Sequence, residues 1–250
     1  IDKPLYSTPV ETYDNIISLP DNTTNGQVSS TQKGLTAINL LGANGDFASG
    51  TDKLAKGWEV SSIYLSHAYD GIEKSQSFST LYHDNYLYYN LNINNGHKYY
   101  IRFLLKKTKE KESKLLIGFE NTIGELIKNN TTITNDMYNT ETYTEINKIL
   151  LPTADYSFIG FSGFGGISCN AKIKDMTLVD LTELFGAGNE PTIDECKQIF
   201  NGHISGTKST ISAIKITSEN EDKTEKSTSY VVAKDKDNKI VNLMSHEGIH

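Results

Sequence analysis

The sequence predicts an all-β sandwich, closed by a short C-terminal helix motif and flanked by small β segments. Three observations carry this. Short runs alternate apolar and polar side chains at period two. Clusters of Gly, Asn and Asp break these runs at close intervals. The chain is rich in Asn, Thr, Ser and Tyr, which suits strands joined by polar turns.

Residues 1–35 read as an N-terminal arm or linker. They hold Pro4, Pro9 and Pro20, three of the five prolines, and each would remove a donor from a sheet ladder. Asp21 to Gly26 reads as a turn, with an edge strand around Gln27–Ser30 as the alternative to a plain arm. Residues 36–203 read as the sandwich. Ile38, Leu40 and Leu41 lead into Asn44-Gly45-Asp46-Phe47, and Gly57-Trp58-Glu59-Val60 starts a strand. Trp58, the only tryptophan, follows a glycine just before a strand, which favours a core role over the alternative of a ring that stacks on a sugar.

The strongest local pattern reads as a hairpin. Leu87, Tyr89, Leu91 and Ile93 alternate with Tyr86, Tyr88, Asn90 and Asn92. Beyond Asn94-Asn95-Gly96, Tyr99, Ile101, Phe103 and Leu105 alternate with Lys98, Tyr100, Arg102 and Leu104. A three-residue loop with Gly96 in the left-handed region would set Leu91 opposite Tyr99 and Tyr88 opposite Arg102. The mixed-sign run Lys106–Lys114 then reads as a solvated hairpin tip. Further strands are expected at Leu115–Phe119, Thr142–Leu151, Tyr156–Phe161 and Ser168–Val179. Gly163-Phe-Gly-Gly166 has neither the spacing nor the following helix of a phosphate loop.

The period then changes. Asp180-Leu-Thr-Glu183 can cap a helical turn through Leu184 and Phe185, stopped by Gly186 and Gly188. Thr192-Ile-Asp-Glu195 is a capping box behind Pro191, opening a helix over 192–201 with Ile193, Cys196, Ile199 and Phe200 on one side. Residues 204–250 read as a small β appendage for oligomerisation or connection, with strands at Thr210–Thr217, Ser227–Ala233 and Lys239–Leu243. That is too little for an independent core.

Composition bounds the function. The net charge of −7 opposes phosphate-dominated nucleic-acid binding, and Arg102 is the only arginine. No apolar run approaches the ~18 residues of a membrane span. Ile1–Val10 lacks the apolar stretch of a signal peptide. Cys169 and Cys196 stand outside any CxxC and read as free buried thiols, with a single bridge as the alternative. His246-Glu-Gly-Ile-His250 matches the letters of a zinc-hydrolase helix, but Gly248 weakens a helix and a strand-like segment precedes it. No local motif nominates the facing carboxylates of a glycosidase, so no enzyme is expected.

The run Met176–Phe200, MTLVDLTELFGAGNEPTIDECKQIF, closely resembles a segment of minor structural proteins of tailed bacteriophages and prophages, through Asp180, Leu181, Thr182, Phe185, Gly186, Gly188, Asn189, Glu190 and Pro191. Asn39 to Phe47, Gly57-Trp58, His97 to Phe103 and Ile173 to Val179 look like strands of carbohydrate-binding-module jelly rolls. The resemblance implies a jelly-roll sandwich in a tail-fibre, baseplate or receptor-binding component of a virion, acting at the host surface. It also implies a structural calcium held by Asp46 and Asp175. The expected partners are host cell-wall or surface polysaccharide and other virion tail proteins, without nucleic acid or membrane insertion. The incomplete flanks 1–35 and 207–250 suggest a homotrimer. A purely structural tail module is the second reading, and a polysaccharide-degrading enzyme the third. On the expected hairpin, Tyr86, Tyr88, Asn90, Tyr100 and Arg102 would share one face, whose rings and hydrogen-bonding groups suit a sugar's apolar face and hydroxyl rim.

Overall fold

The computed structural model describes residues 13–18, 27–80, 85–122, 128–163, 167–200, 202–206, 208–219 and 226–234. Its strands, in chain order, are β1 (Tyr13–Ser18), β2 (Gln27–Ile38), β3 (Trp58–Val60), β4 (Ser66–Asp70), β5 (Ser75–Thr80), β6 (Tyr86–Ile93) and β7 (Tyr99–Lys107). They continue with β8 (Leu115–Glu120), β9 (Lys128–Ile133), β10 (Thr144–Leu150), β11 (Tyr156–Ser162), β12 (Cys169–Asp180), β13 (Lys208–Glu219) and β14 (Lys226–Lys234). Two α-helices, α1 (Leu181–Phe185) and α2 (Ile193–Phe200), follow β12.

The chain divides into two units, one of Ile38–Ile193 with Gly202–Lys208, the other of Ile1–Ala37, Asp194–Asn201 and Ser209–His250. In the second unit β1, β2, β13 and β14 form one sheet in that order. β1 runs antiparallel to β2 with Ile16 opposite Ser29, and β13 antiparallel to β14 with Ile214 opposite Val231. The stretch read as an arm therefore contains two strands, and it shares a sheet with the stretch read as a separate appendage. The strand expected at Lys239–Leu243 lies outside the described residues.

The first unit is an all-β jelly-roll sandwich. One sheet has the order β10-β7-β12-β5-β4 and the other β3-β6-β11-β8-β9. The chain changes sheet from β5 to β6, from β6 to β7, from β7 to β8, and again at each step from β9 to β12. Ile101, Phe103, Leu105, Phe78, Ile173 and Leu178 of the first sheet meet Leu87, Ile117, Phe119, Ile159 and Phe161 of the second in a common core. Each such side chain contributes about 1.5–3 kcal/mol on burial. Phe103 and Phe161 touch edge to face with centroids 5.6 Å apart. Trp58 is 3% exposed, stacks on Phe47 at 5.3 Å, and donates from its indole N–H to the Asn44 carbonyl.

The expected β6–β7 hairpin does not form. β6 pairs with β3 and β11, whereas β7 pairs with β10 and β12. Tyr88 lies opposite Glu59 and Gly160, and Arg102 opposite Asn147 and Thr177. The alternation itself holds, since Leu87, Ile93, Tyr99, Ile101, Phe103 and Leu105 all point into the core. Two apolar faces can meet across a sandwich as well as side by side, because period two sets the face of a strand and not its partner. Gly96 has the expected positive φ, +75°, but its turn carries the chain between sheets. The Tyr99 hydroxyl fixes that turn by accepting from the Asn94 N–H. The charge run after β7 likewise connects sheets, with Lys109, Glu110, Lys111 and Glu112 exposed.

The helix caps follow the sequence. Asp180 Oδ1 accepts from the Glu183 N–H at 2.9 Å, and Gly186 ends α1 at φ +83°. On α2, Cys196, Ile199 and Phe200 are buried. Both cysteines are free and buried, and burial pushes both thiols up, that of Cys196 to about 12.

Candidate functional site

The five residues expected on one sugar-binding face fall on opposite outer sides of the sandwich. Tyr86 and Tyr88, on β6, are buried against Phe158. Tyr86 donates to the Thr122 carbonyl, Tyr88 donates to Glu59 Oε2, and the Asn90 amide donates to Glu59 Oε1, the last two at 2.8 Å. Burial, then Glu59, push the Tyr88 phenol up to about 12. Only Asn90 of the three is exposed. These rings are packing elements, because their faces already meet aromatic neighbours.

Tyr100 and Arg102 lie on the outer face of the other sheet. Tyr100 donates to Asn147 Oδ1. Arg102 donates to Glu145 Oε2 from Nη2 at 2.6 Å and Nε at 3.1 Å, and to the Asp175 carbonyl from Nη1. Both residues are under a tenth exposed, so their polar neighbours on β10, Glu145 and Asn147, present the reachable atoms.

Further along that face, Ser79 donates to Asn170 Oδ1. Lys172 bonds Asp70 at 3.2 Å and also Glu73. Burial works against the Lys172 charge, but the two carboxylates outweigh it and raise its pKa. Tyr143, one residue before β10, is half-buried, with Lys174 Nζ 4.8 Å and Lys106 Nζ 5.7 Å from its ring centroid. Burial, then Glu73, hold its phenol above the ordinary value. The face thus joins an aromatic ring, amides, the carboxylates of Asp70, Glu73 and Glu145, and cations across the five strands of the sheet. Sequence reasoning named Tyr100 and Arg102 of this face but not Tyr143, Glu145, Asn147, Lys106, Lys172 or Lys174. They assemble from β7, β10 and β12, and no local spacing announces that.

The implied calcium does not fit. Asp46 Oδ1 accepts from His203 Nε2 at 2.6 Å and from the Gly206 N–H, and Oδ2 accepts from Ser205 and the Gly206 N–H. Its charge already faces donors, so a cation would have to displace them. Asp175 sits at φ +50° where the β12–β7 register shifts, and its carbonyl binds Arg102. Among the described residues no group of three or more His, Cys, Asp or Glu side chains gathers to hold a metal. The His246–His250 segment lies outside the described residues.

A hollow of about 500 Å³ opens beside loop 49–58, over Leu54, Ala55 and Trp58. Thr51, one of its few polar side chains, is committed to the N–H groups of Lys53 and Leu54. It lacks the convergent polar groups that specific ligands need.

The segment from Asp180 to Glu190 forms a clasp. Thr182 Oγ1 accepts from the Lys98 N–H and donates to Glu190 Oε1, while Lys98 Nζ and the Gly188 N–H reach Glu190 Oε2. Asp180 also holds His97 at 2.7 Å. Burial would raise the Glu190 carboxyl, but its backbone bonds, Thr182 and Lys98 bring it down to about 2.

No protein-family model and no curated protein matches the chain. Among solved structures it is similar to the CBM22-1 xylan-binding domain from Paenibacillus barcinonensis Xyn10C, at 12% identity and TM-score 0.35, over 58% of this chain and 92% of that one. It is similar also to the N-terminal cellulose-binding domain of Cellulomonas fimi β-1,4-glucanase C, at 16% identity and TM-score 0.30, over 52% and 88%. A third is the enzymatically active domain of bacteriophage CBA120 tailspike protein 4, at 15% identity and TM-score 0.32, over 52% of this chain and 20% of that one. These low scores assign neither ligand nor activity to this chain. No described helix is long and apolar enough to cross a membrane.

Proposed function

We propose that the chain is a phage or prophage tail protein, receptor-binding or baseplate-associated, whose sandwich recognises host cell-surface carbohydrate without catalysis. The observation that carries the binding reading is the outer face of the β10-β7-β12-β5-β4 sheet. There Asn147, Glu145 and Tyr143 form a half-exposed row of hydrogen-bonding groups and a ring, backed by Tyr100 and Arg102. Sugar hydroxyls need such amide and carboxylate partners, and their apolar faces need a ring nearby. The tail assignment is supported by the Asp180–Pro191 segment and its resemblance. Other tail proteins as partners, self-assembly as a homotrimer and a place on the virion belong to the same proposal. Individually weak contacts would gain from multiple copies.

The second reading, a purely structural tail module, is favoured by one fact. The hydroxyls of Tyr86, Tyr88 and Tyr100 are all committed to internal acceptors. Sedimentation of the full chain with host cell walls, together with a glycan array, separates the two. Retention that Asn147→Ala abolishes supports recognition, and no retention by any glycan leaves the structural module. Release of reducing ends would turn the assignment to the third reading, a polysaccharide-degrading enzyme.

A further inference from the structure

The cations on the outer face of the β10-β7-β12-β5-β4 sheet are unequally provided for. Arg102 has Glu145, and Lys172 has Asp70 and Glu73. Lys106 and Lys174 have no carboxylate partner among the described residues, although the chain has net charge −7. They sit on neighbouring strands, Lys106 opposite Lys172 and Lys174 opposite Leu104, which makes them diagonal neighbours about 7–8 Å apart at Cα. Both ammoniums approach the same ring, Tyr143, at 5.7 and 4.8 Å, and both side chains are half-buried.

A ring quadrupole attracts an ammonium but does not neutralise it. Two like charges set about one ring, partly out of water, repel each other, and an anion that reaches both lowers that cost. The carboxylates that face the ring's surroundings are spoken for. Glu73 lies beside the Tyr143 hydroxyl but is bound to Lys172, and Glu145 is bound to Arg102. We propose that this face takes an anionic polysaccharide, bearing carboxylate, phosphate or sulfate groups, and that Lys106 and Lys174 receive the anion beside Tyr143. The inference rests on the carbohydrate reading of the same face. It adds a charge requirement that the overall negative charge of the protein would otherwise oppose.

Affinity electrophoresis of the full chain would use four probes: dextran sulfate, polygalacturonate, poly(glycerol phosphate), and neutral dextran as the matched backbone. At least one anionic probe should be retained and dextran should not, and the arm that responds names the anion. K106Q/K174Q should weaken retention at least about tenfold, and added salt should weaken the wild type. K106R/K174R should restore retention. K109Q/K111Q, which removes the same charge from the exposed loop, should leave it within about twofold. Anionic retention unchanged in K106Q/K174Q overturns the inference. Retention of neutral polysaccharides alone, independent of both lysines, overturns it while leaving the carbohydrate reading in place. Retention of no polysaccharide of either kind removes both.

Discussion

Lys98 Nζ lies 3.1 Å from Glu190 Oε2 across 92 residues of sequence, tying the start of β7 to the turn between the helices. Thr182 completes the clasp from α1. The Glu190 side chain is 4% exposed, and its carboxyl is held at about 2, below the ordinary value of about 4.3. A folded pKa below the unfolded one stabilises fully above the unfolded value, and that contribution is lost as pH falls through the folded value. E190Q should therefore destabilise the chain by roughly 1–3 kcal/mol at neutral pH. The difference from wild type should shrink between about pH 4.3 and about 2. Melting temperatures across that range check it.

Asp46 and His203 are 2.6 Å apart, and Ser205 and Gly206 complete the carboxylate's shell. Since protein donors occupy both oxygens, chelation should leave the melting temperature unchanged, and added calcium should not raise it. D46A should destabilise by about 1–3 kcal/mol by leaving these donors unmatched. Calorimetric melting with and without chelator reads both effects.

Phe47 stacks on Trp58 in the core and adopts φ +50°. F47A should cost about 3–5 kcal/mol through the cavity it leaves. Trp58 is the only tryptophan, so its fluorescence should red-shift on unfolding and report this loss in a denaturant titration.

Much of the fold was legible because burial imposes periods. The inward sets of β6 and β7 and the Asp180 cap lay open in the residues. Strand partners did not, since identical alternation serves a hairpin and two opposed sheets alike. β4, β5 and β9 escaped notice because Ser66–Asp70, Ser75–Thr80 and Lys128–Ile133 are short and polar. The candidate face was only partly legible. Tyr100 and Arg102 stood out on one strand, but Asn147, Tyr143, Lys106 and Lys174 meet them only through tertiary pairing. Tyr86 and Tyr88 looked like an exposed platform, yet Phe158 from β11 covers them.

The central claim, that polysaccharide binds on the outer face of the β10-β7-β12-β5-β4 sheet, is tested most directly by comparing two single variants in the cell-wall sedimentation assay. N147A, on that face, should lower retention at least about tenfold, while N90A, on the opposite outer side, should leave it within about twofold. Equal retention by N147A and wild type, or loss confined to N90A, would contradict the account.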